Sequence, residues 1–531
     1  MSKKPKIITI TPLILVGLIV AAWYAVYLVQ GPPPPIGETA LKFKTLPFPH
    51  SQRGDIDKSL PFMGMTTVDI DGDGVDEIAI GGGHGQKDAI YKYTAKGFEA
   101  CPISGLEKGD TDATFGMASI DTDGDGKEEL FVARESGVYF AKNTAGNFTQ
   151  RKLEFGLADN TTPLSIALGD INKDNFVDLY VAGYIKLERA EGETNFSDGY
   201  GGFSYLLLND GSNNWQNITE AAGTSGQHNR FLAVFADLNT DTWPDIVVAQ
   251  DTGKVEIWEN LKNNTFKRHP DPTDYSYPMG IGVGDIDNDG DVDLYFSNVG
   301  TTLPRAMVKG NLTKEQKFNT DYILLQNDGN FTFSDVSQAK NAANYGFGWG
   351  THIEDFNNDS RMDLYFSQNY ARFPGVKHLQ LYPGRLLEQQ EDNTFLSVEK
   401  SAQGENSKFG ITQVVSDFNQ DGSLDLVIAN LGGPVKALIT ETTGPTKGLT
   451  VRFPGTAQWL NAVGTVTLAD GTKLTRQFVA GEGLCSDGFP GLHFGLGETD
   501  TPVTLKVTLQ DGSTREFPDL KPGSQLHITE S

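Results

Sequence analysis

Asp285-Ile-Asp-Asn-Asp-Gly-Asp-Val-Asp293 runs straight into Leu294-Tyr-Phe-Ser297, and this stretch decides the fold. Oxygen-bearing side chains stand at loop positions 1, 3, 5 and 9, and position 7 has a main-chain carbonyl to give. That alternation is the donor set of a hard cation. Gly290 at position 6 suits a sharp turn with positive φ. The apolar run that follows is short and aromatic, as in a buried strand.

Six further copies give seven ligand sets, each at positions 1, 3, 5, 7 and 9. The first is Asp69, Asp71, Asp73, Val75 and Glu77. The second is Asp121, Asp123, Asp125, Lys127 and Glu129. The third is Asp170, Asn172, Asp174, Phe176 and Asp178, and the fourth is Asp237, Asn239, Asp241, Trp243 and Asp245. The fifth is Asp285, Asp287, Asp289, Asp291 and Asp293. Asp355, Asn357, Asp359, Arg361 and Asp363 make the sixth, and Asp417, Asn419, Asp421, Ser423 and Asp425 the seventh. Up to seven structural calcium ions are expected. Position 6 is Gly74, Gly126, Gly290 or Gly422 in four loops, but Asn175, Thr242 and Ser360 in the others. Thr242 is β-branched and resists positive φ, so the fourth site is expected to be weakest. Position 12 is apolar throughout (Ile80, Val132, Val181, Val248, Phe296, Phe366, Ile428), which excludes the EF-hand and its bidentate glutamate.

Spacings between loop starts are 52, 49, 67, 48, 70 and 62 residues, the length of four-strand propeller blades. An all-β, seven-bladed β-propeller is therefore expected over 46–440. Alternating runs such as Leu449–Phe453 and Val503–Leu509, with hairpin signals at Asp470-Gly471 and Asp511-Gly512, predict a small β domain over 441–531. Lys3, Lys4 and Lys6 precede an uncharged run from Ile7 to Val29. This predicts a transmembrane helix within residues 1–30, crossing the membrane through 7–29. The N-terminus would lie inside and the bulk outside, in the periplasm or at the cell surface. Residues 31–45, opening Gly31-Pro-Pro-Pro-Pro35, are expected to be a stiff linker. Cys101 and Cys485 fall in different modules, and no disulfide framework is indicated.

The acidic loops, with Phe115-Gly116 and Phe409-Gly410 opening two repeats, resemble the FG-GAP or VCBS repeats of integrin α-subunit propellers. Gly481-Glu-Gly483, His493-Phe-Gly-Leu-Gly497 and Asp511-Gly512 look like the ASPIC and UnbV domain of the cartilage acidic protein family. Cys485-Ser-Asp487 stands where that family usually carries serine-glutamine-serine. The resemblance implies an integrin-like propeller followed by an ASPIC and UnbV domain; that domain's name transfers more safely than any role.

The formal charge of −26 argues against a nucleic-acid partner. HExxH, GxSxG and Walker A patterns are absent, and histidines such as His84, His228 and His352 are scattered. Three repeats carry extra residues after the post-loop strand: 184–203, 299–321 and 370–393. They bring Tyr184, Tyr200, Phe203, Arg305, Tyr370, Arg372, Phe373 and Tyr382, residue types that anchor recognition surfaces. Because adjacent strands reverse, all three should lie on the face opposite the acidic loops. The expected role is a membrane-anchored scaffold binding an extracellular or periplasmic protein or glycan. The alternative is a polysaccharide hydrolase or lyase, marked by acids, histidine and tyrosine converging in the channel or insertions.

Overall fold

The computed structural model describes residues 35–53, 59–191, 194–300, 305–369, 382–441 and 444–529. Each acidic loop joins a first strand to a second. Blade 1, for example, is Met65–Val68, Glu77–Ile80, Ala89–Thr94 and Gly97–Ala100, paired antiparallel in that order. Among the described residues seven such sheets form, and their first strands touch in sequence until the seventh meets the first. The result is an all-β, propeller-like ring with the first strands innermost.

Side-chain pattern follows position in the blade. Inner strands such as Thr161–Gly169 and Arg230–Ala236 are buried at every residue. The second strands, rich in Leu, Val, Ile and Phe, are buried on both faces. The outer Asn147–Lys152 shows two faces instead, with Phe148 buried and its neighbours exposed. Inner strands approach closely. A Cβ on Gly116 would lie 2.1 Å from the Leu164 carbonyl of the next blade, so the glycine of Phe115-Gly116 is a packing requirement. Phe409-Gly410 is not its equivalent. Register places Ile411-Thr412 at that point, since the bulge at Thr114/Gly116 matches the one at Gly410/Thr412.

The ring is closed by the other end of the chain. Phe43–Leu46 is the outer strand of blade 7, antiparallel to Lys436–Thr440. The linker expected over 31–45 is corrected accordingly. Leu41 and Phe43 are buried, and Pro35 to Gly37 hydrogen-bonds to Ser397 of blade 6. An outer strand left alone exposes a row of unpaired main-chain groups, and Leu41-Lys-Phe-Lys alternates as an edge partner should.

The membrane anchor is also corrected. Among the described residues no helix is long and apolar enough to cross a membrane, and Ile7 to Val29 lies outside them.

Residues from Gly448 onward build two more sheets. One pairs Gly491–Gly495, Gly448–Arg452 and Ser524–His527; the other orders Lys473–Gln477, Val463–Thr467, Val503–Thr508 and Thr514–Leu520. The hairpin glycines Gly471 and Gly512 have φ of 92° and 82°. Both cysteines are free thiols.

Candidate metal loops and their cap

All seven acidic loops sit at the same end of their blades, so they share one face of the ring. Their backbone geometry repeats. In loop 5, Asp285 accepts N–H bonds from Asp289 and Gly290, both 3.1 Å, and Asp289 accepts one from Asp291 at 2.9 Å. Asp293 accepts from Ile286 at 2.8 Å and from Asn327 of the third strand at 2.7 Å. Position 6 has positive φ in every loop, including Asn175, Thr242 (69°) and Ser360. Position 4 does too, at Gly72, Gly124, Lys173, Thr240, Asn288, Asn358 and Gln420, which sequence reasoning missed. Loop 4 therefore holds two β-branched residues in the left-handed region, each costing about 1–2 kcal/mol. Thr240 is exposed with φ 58°. Thr240→Gly is expected to raise stability by up to about 1 kcal/mol, read as a higher thermal midpoint. An unchanged or lowered melt would show that the turn is unstrained.

The donor sets fit a hard cation. Carboxylate oxygens of Asp69, Asp71 and Asp73 lie within 4.8 Å of one another, as do those of Asp121, Asp123 and Glu129 and those of Asp285, Asp287 and Asp289. Among the described residues Glu129 Oε1 and Asp287 Oδ1 are buried without a partner, as oxygens aimed at an ion would be. Burial pushes Glu77, Asp245 and Asp293 up to about 8 and Glu129 to about 7. Such carboxylates are costly to ionise together without a counter-charge. Loops 3, 4, 6 and 7 differ: Asn172, Asn239, Asn357 and Asn419 each donate Nδ2 to the position 5 aspartate, at 2.8, 3.0, 3.0 and 2.9 Å. Position 7 donates its N–H to the position 5 aspartate in every loop, a main-chain bond that Val75, Lys127, Phe176, Trp243, Asp291, Arg361 and Ser423 can all make.

A second repeated device went unread in the sequence. Asn143, Asn260 and Asn327, on third strands, donate to the position 8 carbonyl of their own loop and to the position 2 carbonyl of the preceding one. Gln389 reaches Ile286 in the same way. The recurrence of Leu207-Leu-Asn-Asp-Gly211 as Leu325-Gln-Asn-Asp-Gly329 was its signal.

The C-terminal sheets cover the loop face. Arg452 donates to Asp76, to Glu128 Oε1 at 3.2 Å, and stands 4.0 Å from Asp69. Asp76 and Glu128 are the position 8 acids of loops 1 and 2, and both face the arginine. Asp121 N–H donates to the Gly455 carbonyl at 2.8 Å, Lys173 Nζ to the Gln510 carbonyl at 2.6 Å, and Asp237 N–H to Gln477 at 3.1 Å. His493 pairs with Asn358 at 2.7 Å, and Ser360 donates to Gly495 at 2.9 Å. Arg476 faces Asp285 and Asp355 electrostatically.

The turn Gly481-Glu-Gly-Leu-Cys-Ser-Asp487 enters the channel. Ser486-Asp487 pairs in parallel with Met65-Thr66 of blade 1, and Gly483 exchanges two main-chain bonds with Ile281 of blade 5. Glu482 accepts from Val283 N–H at 3.2 Å and lies 3.0 Å from His352 Nδ1. Gly483 has φ 91°, and a Cβ there would lie 2.9 Å from His352. At the other end, Phe62 packs among Phe115, Phe231 and Trp349, with ring centroids 6.4, 5.1 and 5.9 Å away. A cavity of about 50 Å³ remains beside Glu354, Glu482 and Arg476, too small for a sugar chain.

The insertions of blades 3, 5 and 6 join second to third strands, at the end opposite the loops. The partner role expected of several aromatics is corrected. Tyr184 stacks on Phe231 at 5.4 Å, with its hydroxyl donating to Asp251 at 2.7 Å, and Phe203 packs against the apolar core. Tyr382 covers Gly346. The insertions of blades 3 and 5 fold back on the blades and on each other: Phe196 sits 5.2 Å from Tyr277 and 5.8 Å from Phe318. Tyr200 is half-buried, its hydroxyl accepting from Glu191 N–H; Arg305 is exposed, donating to the Phe318 carbonyl. Tyr370, Arg372 and Phe373 lie outside the described residues.

The FG-GAP-like repeat matches residues 121–181 and 237–296, and the family described as ASPIC and UnbV matches 455–531. The chain carries FG-GAP-like repeats and an ASPIC and UnbV domain. It is similar over most of its length to cartilage acidic protein 1. Identity to the Xenopus tropicalis protein is 23% over 514 residues, covering 88% of this chain and 73% of that one. For the Homo sapiens protein it is 22% over 503 residues, 85% and 69%. Among solved structures, BBS1N in complex with ARL6DN gives a TM-score of 0.46 at 12% identity, covering 77% of this chain and 99% of that one. An Agrocybe aegerita lectin for non-reducing terminal N-acetylglucosamine gives 0.41 at 17%, covering 70% and 93%. At these scores the likeness adds nothing to the topology above.

Proposed function

We propose that this chain is a calcium-binding scaffold of the propeller type. Its ions rigidify the capped face, and its insertion-bearing face recognises a protein or glycan. The observation that carries this reading is the position of the C-terminal sheets: they cover the acidic loops and enter the channel, and among the described residues they leave the opposite face uncovered. The relatives named cartilage acidic protein 1 and the FG-GAP-like repeats support a binding role over an enzymatic one. The hydrolase or lyase reading loses support in the channel, because the Gly481–Asp487 turn and Phe62 occupy it. A glycan array and a cross-linking pull-down with the full chain test the proposal. Arg305→Glu, on the open face, is expected to weaken capture about thirtyfold, or about 2 kcal/mol, with an unchanged melting curve. Capture that persists in this variant but fails when the capped face is altered would overturn it.

A further inference from the structure

The open face carries a pocket of about 490 Å³ where blades 1, 2 and 3 meet, lined by Leu60, His84, Thr111, Glu135, Thr162 and the segment Lys186–Glu188. That is within the size range of small-molecule sites. Glu135 is fully engaged: Oε1 accepts from Ser59 Oγ at 2.9 Å, and Oε2 meets His84 Nε2 at 2.6 Å and Ala113 N–H at 3.3 Å. It fixes the imidazole and leaves Nδ1 without a partner among the described residues. Lys186, half-buried, makes no ion pair, and the hydroxyls of Thr111 and Thr162 have no partner among those residues. Thr162 is itself only 4% exposed. His84, Thr162 and Lys186, with Thr111 at the exposed rim, thus line one pocket with polar groups that are free to meet a ligand.

We propose that this pocket binds an acidic sugar of the hexuronate class. Lys186 takes the carboxylate, His84, Thr111 and Thr162 take ring hydroxyls, and Leu60 and Leu187 face the ring's C–H surface. One ammonium with hydroxyl and imidazole groups suits a carboxylate-bearing polyol. A phosphate would call for a cradle of N–H groups or clustered cations, and a base for an aromatic platform; neither lines the pocket. A cationic ligand is disfavoured because Glu135 is spent on His84. Glu188 is exposed at the rim, where solvent screens its charge.

The inference rests on the open face being the recognition face. Saturation-transfer NMR and calorimetry on the full chain, with glucuronate and galacturonate against glucose, galactose and acetate, test it. Saturable uronate binding is expected, weaker by about tenfold or more for the neutral hexoses and for Lys186→Met, and weakened by His84→Gln. Both variants should melt like the parent. Equal binding of glucose and glucuronate, unchanged uronate binding in Lys186→Met, or no saturable uronate binding overturns the proposal. A chain that captures array ligands through Arg305 yet binds no uronate overturns this inference alone and leaves the recognition face standing.

Discussion

Chelating calcium is expected to lower the melting temperature by on the order of 10 °C, because an ion that binds only the folded chain adds about 2.7 kcal/mol per site at a hundredfold excess over Kd. Loops 1, 2 and 5 should supply most of this, since their carboxylates converge. Asp289→Ala should therefore cost more of the calcium-dependent shift than Asp241→Ala, whose loop holds two threonines with positive φ. The pH dependence has a definite sign. In chelator, Glu77, Asp245 and Asp293 hold protons up to about pH 8 and Glu129 to about 7, because burial disfavours their charge. Their unfolded values lie near 4. Between these limits the folded chain binds more protons than the unfolded one, so apo stability falls as pH rises from about 4 to 8. Calcium displaces those protons and should flatten the fall. Identical melting curves with calcium and chelator across that range would remove the ions from the account.

Arg452→Met is expected to destabilise the chain by about 3–5 kcal/mol, because it strands Asp76 and Glu128 as unpaired charges in a dry interface. The loss should appear first as detachment of the cap, measured as faster protease cleavage of the C-terminal sheets while the ring still melts cooperatively. Adding Asp76→Asn and Glu128→Gln should recover much of the loss, since the costly element is the uncompensated charge. A single variant that melts like the parent would show that apolar packing alone holds the cap.

Much of the ring was legible because its determinants are local. Alternating oxygens, the left-handed residue at position 6 and the apolar run after position 9 are all read within a dozen residues. The hairpins of the C-terminal sheets were legible for the same reason, through Asp470-Gly471 and Asp511-Gly512. Position 4 was missed because Lys173, Thr240 and Gln420 stand there in three loops, and those residue types give no sign of a positive φ. The binding aromatics were misread because composition does not say which way a long loop folds: Tyr184 was already promised to Phe231.

The sequence by itself determined the acidic loops, their number, the all-β blades and the two-part order of the chain. Each follows from chemistry between near neighbours. Only the tertiary structure decided that Phe43–Leu46 closes blade 7, that Gly481–Asp487 enters the channel, and that the cap covers the loop face. Asp76 shows the difference. Locally it is one more carboxylate in an acidic loop, yet its partner Arg452 lies 376 residues away. A buried charge is satisfied by whichever opposite charge the completed fold delivers, and no local pattern carries that pairing.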